Sequence, residues 1–215
     1  MVEPAYEVGG DCFDYALNGP HFDVALMDSV GHGVGSSVIA ALAVGSYRHD
    51  RREGRALEHV HDNLDPVIGA QFGGESFVTG QLARIELDTG TLKWINAGHP
   101  PPLLIRGGRV IGHLECTPAL PWGLGPSAAE VATVSLEPGD GILFYTDGVV
   151  EAGASVGEDF VTDRLADLAG QHASDQLTVS MTVRLLIQAV LEHHKLNLHD
   201  DATILLVQWT GPDSN

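Results

Sequence analysis

The hydrophobic residues of this chain follow two different periods, which occur in separate blocks. Apolar side chains at helical spacing predict helices over 34–47, about 55–70, about 160–170 and about 176–194. Alternating or continuous apolar runs bounded by turn residues predict strands over 22–28, 76–87, 92–97, 102–106, 131–136, 142–145 and 202–209. Blocks of strands with helices in pairs favour packed antiparallel sheets over regular βαβ units, so we expect an α+β protein.

Nothing in the sequence divides the chain into separate folding units. It has 215 residues, with no internal repeat, no low-complexity segment and no linker-like stretch. That length is ample for a buried core, and we expect a single domain over 1–215.

The balance of charge limits the classes of partner. The chain carries 29 acidic and 11 basic residues, a formal net charge of −18. Such a surface repels phosphate backbones, so we expect no nucleic-acid ligand, and bound cations would offset part of the negative charge. The longest apolar stretches, such as 38–44, are too short to cross a bilayer, and residues 1–6 do not form a secretion signal. We therefore expect a cytoplasmic protein with no membrane partner, in which Cys12 and Cys116 are reduced thiols.

Aspartates close to glycine, or next to a second aspartate, occur at four predicted strand ends or turns. The four sites are Gly9-Gly10-Asp11, Asp28-Ser29-Val30-Gly31-His32-Gly33, Tyr145-Thr146-Asp147-Gly148 and His199-Asp200-Asp201-Ala202-Thr203. Carboxylate and carbonyl oxygens suit Mg²⁺ or Mn²⁺, and Mg²⁺ usually keeps several of its waters. Glycine beside a ligand lets the backbone turn sharply and come close. Each Asp-Gly step alone indicates only a turn, so the evidence lies in the combination and its order.

The segments VGGD, DSVGHG, NAGHPPPLL, YTDGVVEA and DDAT together resemble one family. It is the bacterial SpoIIE/RsbU branch of the metal-dependent (PPM, 2C-type) serine/threonine protein phosphatases. The motifs follow the family's order over about residues 8–209. The resemblance implies a four-layer α-β-β-α sandwich, in which two antiparallel sheets are flanked by helix pairs. It also implies two Mn²⁺ or Mg²⁺ ions per domain at one end of the sandwich.

The resemblance assigns roles by motif position. Asp28 would bridge both metals, and the backbone carbonyl of Ser29 would bind one of them. Asp147 and Asp200 would complete the protein ligands of the second metal, and Asp11 would lie beside the metals, directly or through water. These four aspartates are the expected catalytic residues. The residues expected to support them are Gly10, Gly31, His32, Gly148 and Asp201.

The activity that the resemblance implies is hydrolysis of phosphoserine or phosphothreonine on another protein. A water held between two cations has a lowered pKa, so hydroxide would be available near neutral pH to attack the phosphorus in line. The usual substrate in this branch is an anti-sigma-factor antagonist of the STAS type. Two other functions stay open from the residues alone: a partner-regulated binding module with little turnover, and a metallohydrolase of small phosphoesters.

The sequence departs from the wider superfamily at two positions. Eukaryotic members have a histidine two residues after the bridging aspartate, where this chain has Val30. His32 lies two residues further on, and we interpret it as a residue that orders the loop. The arginine that grips phosphate upstream of the Gly-Gly-Asp position has no counterpart in residues 1–8. We therefore expect metals, or a partner, to hold the phosphate.

The basic residues of the chain are concentrated near the end of the first predicted helix. They are Arg48, Arg51, Arg52 and Arg55. Such charges either complement the helix dipole or dock an acidic partner or a regulatory domain, and the sequence does not separate these two interpretations. The first strand is expected to be short or truncated. An upstream sensor or regulatory domain, and a homodimer that covers an open sheet edge, would both agree with that.

Several histidines invite a second metal site. His193, His194 and His199 lack the partner spacing of a zinc centre, and we interpret them as an exposed helix end that runs into a loop. His99 lies in a proline-rich turn, where a structural use is expected.

Overall fold

The described strands form two five-stranded sheets. Within each sheet, every described pair of neighbouring strands is antiparallel. This computed structural model describes residues 2–3, 9–72, 76–150, 179–193 and 200–212. Within those ranges no helix is long and apolar enough to cross a membrane. Both cysteines are free thiols.

The first sheet has the strand order β2-β3-β4-β5-β8. Its strands are β2 (Asp11–Asn18), β3 (His21–Ser29), β4 (Val78–Glu86), β5 (Thr91–Ala97) and β8 (Ala132–Ser135). Along β3, Val24 and Leu26 face the second sheet, whereas Ala25 and Met27 face the helices. The strand is covered on both sides, which explains why its apolar run is continuous rather than alternating.

The second sheet has the strand order β1-β10-β9-β6-β7. Its strands are β1 (Val2–Glu3), β6 (Leu103–Arg106), β7 (Arg109–His113), β9 (Gly141–Tyr145) and β10 (Ala202–Gln208). β1 pairs with the first two residues of β10.

Helices cover the outer faces of both sheets. The helices are α1 (Val34–Arg52), α2 (Leu57–Phe72), α3 (Asp147–Val150) and α4 (Val179–His193). α1 and α2 lie on the first sheet, while α3 and α4 contact β10 of the second. Three apolar cores fill the spaces between these layers. One lies between α1/α2 and the first sheet, one between the two sheets, and one between the second sheet and α4. The expected four-layer α-β-β-α sandwich is confirmed.

Most of the predicted elements are present, with ends that differ by a few residues. No predicted range covers β2 or β7, and both strands are only partly buried. In β2, Asp11 and Asp14 interrupt the apolar pattern, so the sequence there does not indicate a strand. The predicted helix over about 160–170 lies outside the described residues, as do His194 and His199.

The basic residues at the end of α1 are partly used inside the fold. The Asp14 carboxylate accepts hydrogen bonds from Arg48 Nε at 2.9 Å and from Arg51 Nη2 at 3.1 Å. Arg51 is buried and its guanidinium also lies 5.7 Å from the ring centroid of Tyr47. Docking of a partner is therefore excluded for Arg51. These two arginines fasten the last turns of α1 to β2, the strand that begins at Asp11.

Candidate metal centre

The four aspartate segments meet at one end of the sandwich. Asp11 begins β2 and Asp28 is the penultimate residue of β3. In the other sheet, Asp147 begins α3 one residue beyond β9, and Asp200 and Asp201 directly precede β10. Because β9 and β10 are antiparallel neighbours, the end of one strand lies beside the start of the other. The chain segments that carry the five aspartates are far apart in sequence, and the fold brings them together.

Asp11 and Asp28 lie directly opposite each other on adjacent strands of the first sheet. They are register partners in the β2–β3 ladder, at the point where the ladder begins. Side chains at directly opposite positions have Cβ atoms about 4.5–5.5 Å apart, and like charges there are destabilising. This pair of carboxylates therefore needs either protons or a cation to be stable in the folded protein.

Two threonine hydroxyls hold Asp11 from the opposite sheet. Thr146 Oγ1 donates to Asp11 Oδ2 at 2.8 Å, and Thr203 Oγ1 donates to the same oxygen at 2.6 Å. The backbone N–H of Thr203 donates in turn to Thr146 Oγ1 at 2.9 Å. The sequence interpretation did not identify either threonine. Each lies within two residues of a motif aspartate, in Tyr145-Thr146-Asp147 and Asp201-Ala202-Thr203, and that repeated placement was the available signal.

Asp201 fastens the glycine loop that precedes Asp11. Its Oδ2 accepts a hydrogen bond from the Gly10 N–H at 2.5 Å, and the whole residue is buried. Asp200 is half-buried, and its Oδ1 accepts the N–H of Asp201 at 2.8 Å. The two neighbouring aspartates therefore differ in their surroundings, because Asp201 is held inside the loop and Asp200 lies nearer the surface.

The segment from Ser29 to the start of α1 is closely packed against Gly10. Ser29 Oγ lies 3.0 Å from the Gly10 carbonyl oxygen and 2.8 Å from that of Ser36. A Cβ at Gly10 would lie only 2.8 Å from the Ser29 carbonyl oxygen, so no other residue fits there without movement. Gly31 and Gly33 have φ of 88° and 80°, a backbone conformation that favours glycine. His32 between them is exposed.

Burial and mutual repulsion perturb the two strand aspartates. Burial, together with the nearby carboxylates of Asp11, Asp147, Asp200 and Asp201, raises the pKa of Asp28 to about 8. Burial also raises the pKa of Asp11 to about 7, although the hydroxyls of Thr203 and Thr146 oppose that change. Asp28 is therefore within electrostatic reach of the other four aspartates. The protein without a cation would bind protons here near neutral pH.

This donor set fits a hard divalent cation. Carboxylate and carbonyl oxygens are the ligands that Mg²⁺ and Mn²⁺ prefer, and the cluster carries more negative charge than its surroundings stabilise. Within the described part of the chain, no three histidine, cysteine, aspartate or glutamate side chains already form a closed set of ligands. Mg²⁺ commonly binds through only one or two carboxylates and keeps its remaining waters, so a closed set is not required.

Gly148→Ala is expected to disturb this end of the protein strongly. A Cβ at this position would clash with the backbone carbonyl of Asp201, so α3 and the turn before β10 would have to separate. We expect about tenfold weaker Mn²⁺ binding or more, as for other changes next to metal ligands. Calorimetric titration of Mn²⁺ measures this change. Gly45→Ala is the matched control, because Gly45 lies in α1 with nothing within 4 Å of an added Cβ. Equal Mn²⁺ affinity in the two variants would contradict the prediction.

Comparison with known proteins gives one consistent set of relatives. Residues 18–210 match the family described as Stage II sporulation protein E (SpoIIE). The phosphoserine phosphatase RsbP of Bacillus subtilis is 24% identical over 209 residues, which cover 94% of this chain and 49% of RsbP. The chain spans half or less of the length of the curated relatives that it matches first.

Two solved structures share the architecture over almost the whole chain. The RsbU and RsbW domains of Rv1364c from Mycobacterium tuberculosis superpose with a TM-score of 0.82 at 25% identity, covering 97% of this chain and 59% of that one. The PP2C phosphatase domain of SpoIIE from Bacillus subtilis, solved with a fragment of its regulatory domain, gives 0.81 at 19% identity, covering 96% and 61%.

Proposed function

The chain belongs to the SpoIIE family of PP2C-type phosphatases, and from that premise we propose that it is a metal-dependent hydrolase of phosphoserine or phosphothreonine in another protein. The observation that carries the proposal is the gathering of five aspartates from both sheets, where burial and the other four carboxylates raise the pKa of Asp28. The relative RsbP, a phosphoserine phosphatase, supports the same reaction class. We infer one catalytic domain over 1–215.

The proposed ligands are the side chains of Asp28, Asp147 and Asp200 with the backbone carbonyl of Ser29, while Asp11 lies beside them or binds directly. Two divalent cations held there would supply a nucleophile at neutral pH and positive charge for the phosphoryl oxygens. Mn²⁺ and Mg²⁺ both suit this set of oxygen donors.

The surrounding residues would keep these carboxylates in place. The hydroxyls of Thr146 and Thr203 both donate to Oδ2 of Asp11. Neither hydroxyl contacts Oδ1, the other oxygen of that carboxylate. Asp201 holds the Gly10 N–H and so fixes the backbone just before Asp11. Gly10, Gly31 and Gly148 allow the close approaches and turns, and His32 lies on the exposed side of the loop after Asp28. Preorganised ligands of this kind reduce the reorganisation needed during the reaction.

Only the resemblance to the family supports a proposal about which phosphoprotein is the substrate. We propose a phosphorylated anti-sigma-factor antagonist of the STAS type as the substrate, in the cytoplasm. Because relatives of this chain are longer, control by an upstream sensor or regulatory domain is part of the same proposal. A homodimer that covers the open edge of a sheet would also fit.

The test is hydrolysis of para-nitrophenyl phosphate and of a phosphoserine protein, each with Mn²⁺, with Mg²⁺ and with excess chelator. We expect turnover only with a divalent cation, and its loss in Asp147→Asn, because that change removes a proposed ligand with little change of shape. Turnover that persists in chelator would contradict metal dependence. Mn²⁺ binding without turnover of either substrate would instead indicate a partner-regulated binding module. Turnover of para-nitrophenyl phosphate alone would favour a small phosphoester as substrate.

A further inference from the structure

His99 joins the two sheets at the end that carries the aspartates. Its Nδ1 lies 2.9 Å from the hydroxyl oxygen of Thr79 in β4, and its Nε2 lies 3.1 Å from the carbonyl oxygen of Tyr145 at the end of β9. Since a carbonyl only accepts, Nε2 carries the hydrogen and Nδ1 accepts from Thr79. Burial lowers the pKa of His99 to about 4, in agreement with this neutral form.

The position of the ring is fixed by its own backbone. The His99 N–H donates to Asn96 Oδ1 at 2.7 Å, and Asn96 Nδ2 donates to the His99 carbonyl oxygen at 2.7 Å. Gly98, with φ of 66°, allows the chain to turn here, and a Cβ on it would lie 2.8 Å from the Pro121 side chain. The ring is therefore a rigid spacer rather than a mobile side chain.

The two partners of His99 lie next to the two halves of the aspartate cluster. Thr79 is the register partner of Asp28 in the β3–β4 ladder. Tyr145 is followed directly by Thr146, which donates to Asp11, and then by Asp147. One ring thus connects the strand position beside Asp28 with the segment that leads to Asp147. Both of its nitrogens are used by protein atoms, so the ring itself is not free to bind a metal or a substrate.

We propose that His99 is a positioning residue, which sets the distance between the Asp28 half and the Asp147 half of the candidate metal centre. This inference rests on the proposed metal-dependent function. Residues that orient ligands without touching the metal change metal affinity by about 10–100-fold when they are replaced. A residue that only stabilised the fold would change the unfolding midpoint and leave metal affinity unaltered.

The experiment measures Mn²⁺ binding by calorimetric titration, together with the urea midpoint of unfolding in chelator. His99→Phe keeps a ring of similar size and removes both hydrogen bonds. We expect its Mn²⁺ dissociation constant to rise about tenfold or more. Thr79→Val tests the same connection from the other side and should also weaken binding, whereas Thr79→Ser keeps the hydroxyl and should retain the parent affinity.

A second connection between the sheets provides the matched control. Trp209, just after β10, donates from Nε1 to the carbonyl oxygen of Leu87, just after β4, at 3.1 Å. This contact lies at the opposite end of the sandwich, because β4 begins beside Asp28 and ends at Glu86. Trp209→Phe removes that hydrogen bond. It should lower the urea midpoint and leave the Mn²⁺ dissociation constant unchanged, because distant sites with no shared partner act independently.

The outcomes separate this inference from the function on which it rests. If the parent chain does not bind Mn²⁺, the proposed function is wrong and the inference falls with it. If the parent binds Mn²⁺ and Thr79→Val binds equally tightly, His99 is not a positioning residue. The threonine pair decides the matter even where His99→Phe fails to fold. Equal losses of Mn²⁺ affinity in Thr79→Val and Trp209→Phe would also overturn the inference, because the effect would then be one of general stability.

Discussion

Asp28→Asn is expected to abolish turnover and, at the same time, to stabilise the protein in chelator. Asp28 is the ligand proposed to bridge both cations, so its loss should lower kcat by about 10³-fold or more, as seen for groups that stabilise developing charge. In the absence of metal, the same half-buried carboxylate lies opposite Asp11 and is repelled by four carboxylates, that of Asp11 included. An amide of similar shape removes that repulsion. One unit of pKa shift corresponds to about 1.4 kcal/mol, so a gain of at least about 1 kcal/mol in unfolding free energy is expected at pH 8.

The measurement pairs initial rates with urea unfolding in chelator. Asp88→Asn is the matched control, because Asp88 is exposed in the turn between β4 and β5 at the opposite end of the sandwich. It should change neither quantity. A variant Asp28→Asn that kept full activity would exclude Asp28 as a ligand. One that was less stable than the parent in chelator would show that the carboxylate makes a favourable contact instead.

The stability of the metal-free protein is expected to fall as the pH rises from about 5 to 8. The folded-state pKa values of Asp11 and Asp28 are raised to about 7 and about 8, whereas an aspartate in the unfolded chain titrates near about 3.9. Between these limits the folded protein binds more protons than the unfolded chain. The unfolding free energy therefore decreases with increasing pH, and the loss is complete above the folded-state values.

Saturating Mn²⁺ should remove this dependence, because the cation replaces the protons and binds only the folded state. We expect the melting temperature in chelator to drop by on the order of 5 °C across the window, since 1 kcal/mol corresponds to about 2–4 °C for a chain of this size. Thermal melts at pH 5, 6, 7 and 8, with chelator and with Mn²⁺, measure the effect. Asp28→Asn should flatten the chelator series, which separates the cluster from other titrating groups. A melting temperature that rises with pH in chelator would contradict the raised pKa values.

The aspartate segments can be recognised in the sequence because each consists of neighbouring residues. A carboxylate, its glycine and the preceding apolar strand are all visible in a short window. Thr146 and Thr203 could not be identified from the sequence, because the residue to which each hydroxyl donates lies in the other sheet. Asp11 is that partner, and only the closed sandwich brings the three together.

The same limit explains the other differences between sequence and structure. β2 was missed because Asp14 breaks its apolar pattern, and the residues that satisfy Asp14 are Arg48 and Arg51 on a helix more than thirty positions away. For His99 the sequence indicated a structural turn residue, which agrees with its burial. It did not reveal that the ring reaches Thr79 and Tyr145, because those contacts cross from one sheet to the other.

The hydrogen bond from Thr203 to Asp11 joins residues separated by 192 positions, which has a consequence for how the protein is made. Closing so long a loop has an entropic cost that must be met before the contact gives any stability. During synthesis the N-terminal part emerges first, so Asp11 and Asp28 are present long before β10 exists. Until the last strand has left the ribosome and paired with β9, Asp11 lacks the hydroxyl of Thr203 and Gly10 lacks the carboxylate of Asp201. Capture of the proposed cations is thus expected to be a late event in biogenesis, which follows the closure of the two sheets onto each other.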